Sequence, residues 1–177
     1  MKRLTALFCL LLITLTGCKI QSVPEYYASS AAGSDVQTVT VSVRCDIALA
    51  HQDQLKPGVA AALPADGALL PVTAVPWQTG MTAYDLLVAG LKTARMTFSH
   101  TGTGDSVYIQ GIGPLYEYDG GDLSGWIFLV NGTKAEKSCG AVTLQPGDVV
   151  EWRYTFDLGR DITAPTDQTA SFGIRNN

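Results

Sequence analysis

A nucleophile works only with a base within hydrogen-bond reach, and imidazole is the commonest such base. This chain has two histidines, His51 and His100, each alone in a polar, loop-like stretch. Both read as surface residues. There is no Gly-x-Ser-x-Gly elbow, no His-Glu-x-x-His pair, no P-loop and no Cys-x-x-Cys. Gly111-Ile112-Gly113-Pro114 follows a predicted strand but opens no helix, so it is not a dinucleotide fingerprint. The sequence therefore points to binding and away from catalysis. Its acidic groups gather in Tyr116-Glu117-Tyr118-Asp119-Gly120-Gly121-Asp122 and at Asp157 and Asp161. Hard oxygens on glycine-rich loops suit Ca²⁺, but Glu117 to Asp122 lacks the spaced ligands of an EF-hand. Solvated acidic loops are the reading we adopt, with no metal or catalytic residues assigned. Aromatic residues are more suggestive. Tyr108, Tyr116, Tyr118, Trp126, Trp152 and Tyr154 concentrate in the C-terminal half, and Tyr and Trp join an apolar body to a polar tip that can meet a ligand.

One further group has obvious chemistry. Lys2 and Arg3 precede an apolar run from Leu4 to Leu15, too short for a comfortable membrane span and typical of a signal-peptide core. The run ends in Leu15-Thr16-Gly17-Cys18, which resembles a bacterial lipoprotein lipobox. Small residues there fit a peptidase groove, and the Cys18 thiol can be acylated before cleavage. Lys19 follows, where an Asp would favour inner-membrane retention. Residues 1–17 are read as a lipoprotein signal peptide and residues 18–35 as the lipidated Cys with a flexible tether. The expectation is a protein anchored by lipid at the extracellular face of the cell membrane.

Cleavage changes the remaining arithmetic. Cys9 leaves with the leader, and Cys45 and Cys139 remain in the exported domain. In an oxidising compartment they can pair, and closing so long a loop would stabilise by about 4–5 kcal/mol in the chain-entropy picture. Two buried free thiols are the alternative. Loss of Lys2 and Arg3 also makes the exported chain more acidic than the formal −4 of the whole sequence. Phosphate backbones call for clustered Lys and Arg, so nucleic acid is excluded as the main partner.

The 177 residues suit one globular domain with short appendages. Val39, Val41, Val43 and Cys45 alternate with polar residues, predicting a half-buried strand that turns Cys45 inward. Asp46 to Pro57 reads as a polar connection, and Ala60 to Val75 as a β-hairpin. Thr82 and Asp85 make a capping-box-like helix start, followed by an apolar stripe of Ala83, Leu86, Leu87, Gly90, Leu91 and Ala94. Short strands are predicted at Met96–Ser99 and Ser106–Ile112, and a fully covered one at Trp126–Val130. Asn131-Gly132 signals a tight hairpin and Pro146-Gly147 a second turn. Val150, Trp152, Tyr154 and Phe156 then alternate along a long amphipathic strand. Residues 36–161 are the expected domain, with 162–177 a polar tail. The layout is α+β, a mixed or antiparallel sheet with one main helix packed across it.

Four ordered motifs resemble the transcobalamin-like C-terminal domain family, in its bacterial surface lipoprotein form. They are Gly80-Met81-Thr82-Ala83-Tyr84-Asp85-Leu86-Leu87, Tyr108-Ile109-Gln110-Gly111-Ile112-Gly113, Ser124-Gly125-Trp126 through Val130-Asn131-Gly132, and Leu144-Gln145-Pro146-Gly147-Asp148-Val149-Val150-Glu151-Trp152-Arg153-Tyr154-Thr155. The resemblance implies a β-grasp-like fold and a bridge between Cys45 and Cys139. It also implies a corrinoid, such as cobalamin, held over the segment between the hairpin and the Gly-Asp turn, Thr133 to Ala141. Candidate ligand-binding residues are Tyr116, Tyr118, Trp126, Lys134, Glu136 and Ser138. In the carriers a helical domain covers the other face of the ligand, and this chain is too short to contain one. A separate helical clamp protein or a transporter is therefore the expected partner. The competing expectation is a structural or adhesive surface module with no small-molecule ligand.

Overall fold

The computed structural model describes residues 36–162. The expected signal peptide, Cys18 and the expected tether lie outside the described residues, as does the expected tail beyond Ile162. Mixed α+β architecture follows from two sheets and few helices. The larger sheet is built from β1 (Thr38–Arg44), β2 (Ala68–Pro76), β6 (Gly125–Val130), β7 (Thr133–Lys134) and β8 (Val149–Thr155), in the order β2-β1-β8-β6-β7. β1 and β8 run parallel, and every other neighbour in this sheet is antiparallel. β3 (Phe98–Thr101), β4 (Tyr108–Ile112) and β5 (Leu115–Tyr116) form a separate antiparallel sheet, which periodicity alone did not divide from the first.

Alternation along the strands places the core. Val39, Val41 and Val43 on β1 share one face with Val150, Trp152 and Tyr154 on β8 and with Trp126 and Phe128 on β6, and all are buried. Against this face lies α2 (Ala83–Thr93). Its Thr82–Asp85 capping box is present in both directions: Thr82 Oγ1 accepts from the Asp85 N–H, and Asp85 Oδ2 accepts from the Thr82 N–H at 2.9 Å. The expected stripe is buried at Ala83, Leu86, Leu87, Gly90 and Leu91, while Ala94 is the exposed C-cap.

Two local expectations are corrected. Ala60–Val75 is not a hairpin: Ala60–Ala62 is a single 3₁₀ turn, and only Ala68–Pro76 is a strand, paired with β1. Three consecutive alanines favour a helical turn over a strand that would need side chains to pack. The connection after β1 contains α1 (Asp46–Ala50), whose five residues are too few to show a helical period. Asn131 and Gly132 both take positive φ, 51° and 78°, as a type I′ turn requires.

Candidate functional site

Beside β6 the larger sheet is incomplete. β7 pairs only with Leu129 and Val130, so no strand runs along Gly125–Phe128 on that side. The chain continues from β7 to bond once, Ala135 N–H to the Phe128 carbonyl at 3.0 Å, and then turns away. A cavity of about 350 Å³ occupies the space left. Trp126, Ile127 and Phe128 all line it although their side chains alternate faces, so it follows the strand's edge. Its other walls are the segment 135–139, the Ser106–Ile109 stretch entering β4, and Trp152 from β8. Such a volume lies at the small end of the roughly 300–1,000 Å³ range of small-molecule pockets.

The far wall is pinned by side chains. Ser138 Oγ donates to the Val107 carbonyl at 2.6 Å and accepts from the Gly140 N–H at 3.3 Å. Gly140 has to be glycine for packing reasons, because a Cβ there would sit 2.0 Å from the Gly104 carbonyl oxygen. Cys139 opens the 3₁₀ turn Cys139–Ala141 and is buried, its Sγ 3.7 Å from the same Val107 carbonyl.

The floor is aromatic. Phe128 stacks on Trp152 with ring centroids 5.0 Å apart, and Trp126 meets Tyr154 edge-on at 5.3 Å. Tyr154 is anchored by its hydroxyl, which donates to the Tyr116 carbonyl at 2.8 Å and lies 3.0 Å from Ser124 Oγ. The three tryptophans of the chain differ in one respect. Trp77 donates to the Leu144 carbonyl and Trp126 to the Leu115 carbonyl, each at 3.0 Å, whereas the buried Trp152 indole N–H has no acceptor. A buried donor left without a partner costs about 1–3 kcal/mol. At the rim, Tyr108 is half-exposed, and its hydroxyl is held well above the ordinary tyrosine range by desolvation and by the neighbouring Glu117. Charge is sparse: Glu136 and Lys137 are the lining residues that carry it.

Of the residues expected to bind a ligand, Trp126, Glu136 and Ser138 line the cavity. Lys134 does not; it stands exposed on β7, and the cavity's lysine is Lys137. Tyr116 and Tyr118 also lie elsewhere. The Tyr116 ring covers Gly111, where a Cβ would fall 2.4 Å from it, and Tyr118 stands exposed with φ of 64°. Tyr108, Ile109, Phe128 and Trp152 join the site without having been proposed for it. Tyr108 and Trp152 were visible as members of the aromatic concentration, but nothing in linear spacing tells a cavity wall from a filled core.

The expected bridge is corrected: Cys45 and Cys139 are free thiols, both buried. Cys45 follows β1 as the N-cap of α1 and its Sγ faces the Gly67 carbonyl at 3.5 Å, while Cys139 faces Val107, so each sulfur is engaged with a different backbone turn. Burial, as the largest cause, pushes both thiols up to about 11. Three of the acidic residues are likewise occupied. Asp119 Oδ2 accepts from the Tyr116 N–H at 2.8 Å and Oδ1 lies 3.2 Å from Lys56 Nζ. Asp161 accepts from the Thr155 hydroxyl and the Phe156 N–H, and Asp157 pairs with Arg160. Among the described residues no three or more His, Cys, Asp or Glu gather into a group fit for a metal ion.

A family model described as a domain of unknown function (DUF4430) matches residues 80–155. That span runs from the start of α2 through β8 and contains the cavity's walls. No curated protein matches the chain. Among solved structures it is similar to haptocorrin in complex with Cbi, at 15% identity and a TM-score of 0.46 over 71% of this chain and 27% of that one. The chain thus spans about a quarter of the length of the haptocorrin chain. It is also similar to a protein from Ruminococcus gnavus ATCC 29149 described as metal binding, at 13% identity and a TM-score of 0.40, over 67% of this chain and 96% of that one.

Proposed function

We propose that this protein is a ligand-binding module, held at the extracellular face of the membrane by lipid on Cys18, and not an enzyme. The observation that carries the reading is the cavity of about 350 Å³ beside the open edge of β6, with an aromatic floor and a buried indole N–H that lacks an acceptor. An uncompensated donor in a wall is what a bound acceptor would satisfy. The motifs that resemble the transcobalamin-like family suggest a corrinoid as the ligand, and the walls at Trp126, Glu136 and Ser138 fall within or beside the segment that the resemblance marks. A corrin ring is larger than this cavity, so the domain would cover one face and a separate helical protein or a transporter the other. Equilibrium dialysis of the full chain in detergent against cobalamin tests this. Retention at micromolar protein is expected, and no retention with or without a helical partner removes the corrinoid.

A structural or adhesive role is favoured by a different place. Tyr116, Tyr118, Leu123 and Leu158 are large, exposed and close in the fold, Leu158 N–H bonding the Leu123 carbonyl and Tyr118 N–H the Ser124 carbonyl. Tyr118 and Leu158 both hold positive φ, 64° and 51°, an unusual conformation for bulky side chains. Pull-down of a surface protein that survives blocking of the cavity but is lost on Tyr118→Ser would support that role.

A further inference from the structure

We infer that Trp152 is the hydrogen-bond donor that selects a neutral amide or carbonyl group on the ligand. This rests on the reading of the cavity as a binding site, and it names the chemistry that the site recognises. Three observations converge. First, Trp152 is 2% exposed and lies in the cavity wall, yet its indole N–H is the one of the chain's three that meets no acceptor. An indole N–H donates and never accepts, so the missing partner is an acceptor.

Second, the walls disfavour an ionised acceptor. The lining contains a single cation, Lys137, and it stands beside Glu136 in sequence and at the same rim. A carboxylate or phosphate brought against Trp152 would lose its water with only Lys137, at the rim, as a cation in the lining to replace it. A carbonyl or amide oxygen is satisfied by one neutral donor. Third, the strand edge offers the complementary partner. The Phe128 carbonyl points away from β8 toward Ala135, and Asn131 N–H points to Val149 on β8. Strand alternation then turns the backbone N–H and carbonyl of Trp126 toward the same open side as those of Phe128. No strand pairs with Trp126 there. A flat amide can place its oxygen toward Trp152 and its N–H toward that edge. The indole N–H is covered, so an acceptor reaches it only when a neighbouring side chain gives way; between their ties at Ala135 and Ser138, Glu136 and Lys137 form an exposed stretch of the cavity wall.

The test uses the full chain in detergent with ¹⁵N-labelled tryptophan, titrated separately with benzamide, benzoate and toluene. These probes share one ring and differ in having a neutral acceptor, a charged one or none. Benzamide is expected to shift the Trp152 indole resonance saturably and to bind about tenfold tighter than toluene or benzoate. The Trp77 and Trp126 indole signals, already bonded to backbone carbonyls, should not show the hydrogen-bond shift. Trp152→Phe, which keeps the ring on Phe128, should bring benzamide and toluene to equal affinity. Equal binding of all three probes by the wild type, tightest binding of benzoate, or a Trp152 resonance that benzamide leaves unmoved would each overturn the inference. The comparison of probes on the wild type needs no variant to fold. If cobalamin is not retained while benzamide moves Trp152, the corrinoid reading falls and the donor stands. If cobalamin is retained while benzamide does not move Trp152, the reverse holds.

Discussion

The cavity beside β6 and the loop patch around Tyr118 both present aromatic or aliphatic side chains, and they are built in opposite ways. In the cavity the apolar groups belong to buried strands, Trp126, Phe128 and Trp152, with positions set by stacking and by the sheet's ladder. In the patch, Tyr118, Leu123 and Leu158 hang from turns, roughly half-exposed, on backbone that includes positive φ. Damage to the first therefore costs stability together with any binding. Damage to the second leaves the fold intact, so any loss of function there reports on contact alone. That asymmetry makes the two readings of the protein separable.

Trp152→Ala should have the largest effect. It removes a buried indole stacked on Phe128, and losses of about 3–5 kcal/mol are usual for such truncations; urea unfolding measures it. Gly140→Ala comes next, since its methyl would meet the Gly104 carbonyl. Overpacking of this kind costs about 1–3 kcal/mol, and here it would push the 138–141 turn off Val107, so the midpoint of unfolding and probe binding should fall together. Ser138→Ala removes the bond to the Val107 carbonyl and should cost about 1 kcal/mol. The patch should behave differently. Leu158→Gly relieves a left-handed backbone position and should be neutral or stabilising by up to about 1 kcal/mol. A surface partner that depends on the leucine would be lost all the same, which scores the adhesive reading separately from folding.

The thiols add a pH signature of the buried half. Cys45 and Cys139 sit near 11 in the fold against an ordinary 9.0. The unfolded chain therefore releases these protons first. Their contribution favours the fold fully below about pH 9 and is lost as pH rises toward 11. Native protein at pH 8 should alkylate Cys45 and Cys139 slowly by peptide mass mapping, and urea should expose both. A bridged peptide joining them would contradict the free-thiol arrangement.

Much of the frame was readable from period and turn chemistry. The alternation of Val150, Trp152 and Tyr154 placed those side chains inward, Thr82 with Asp85 marked the helix start, and Asn131-Gly132 marked the hairpin. The cavity was not readable, because it arises from an incomplete ladder. Only a β7 of two residues leaves the edge of Gly125–Phe128 open, and strand length at an edge is decided by tertiary contacts. For the same reason Lys134 and Lys137, three residues apart, could not be told apart as surface and wall. Nor could Tyr116: its ring was needed to cover Gly111 within its own sheet. The separate β3-β4-β5 sheet was hidden likewise, since strand patterns show faces and not partners.

The most direct test compares the two regions in one measurement: equilibrium dialysis of cobalamin against wild-type chain, Ala135→Trp and Tyr118→Ser. Ala135 lies on the cavity wall, so a tryptophan there fills the space, while Tyr118 stands outside it. A binding site in the cavity predicts micromolar retention by the wild type and by Tyr118→Ser, and at least tenfold weaker retention by Ala135→Trp. Retention that disappears with Tyr118→Ser and survives Ala135→Trp would contradict it.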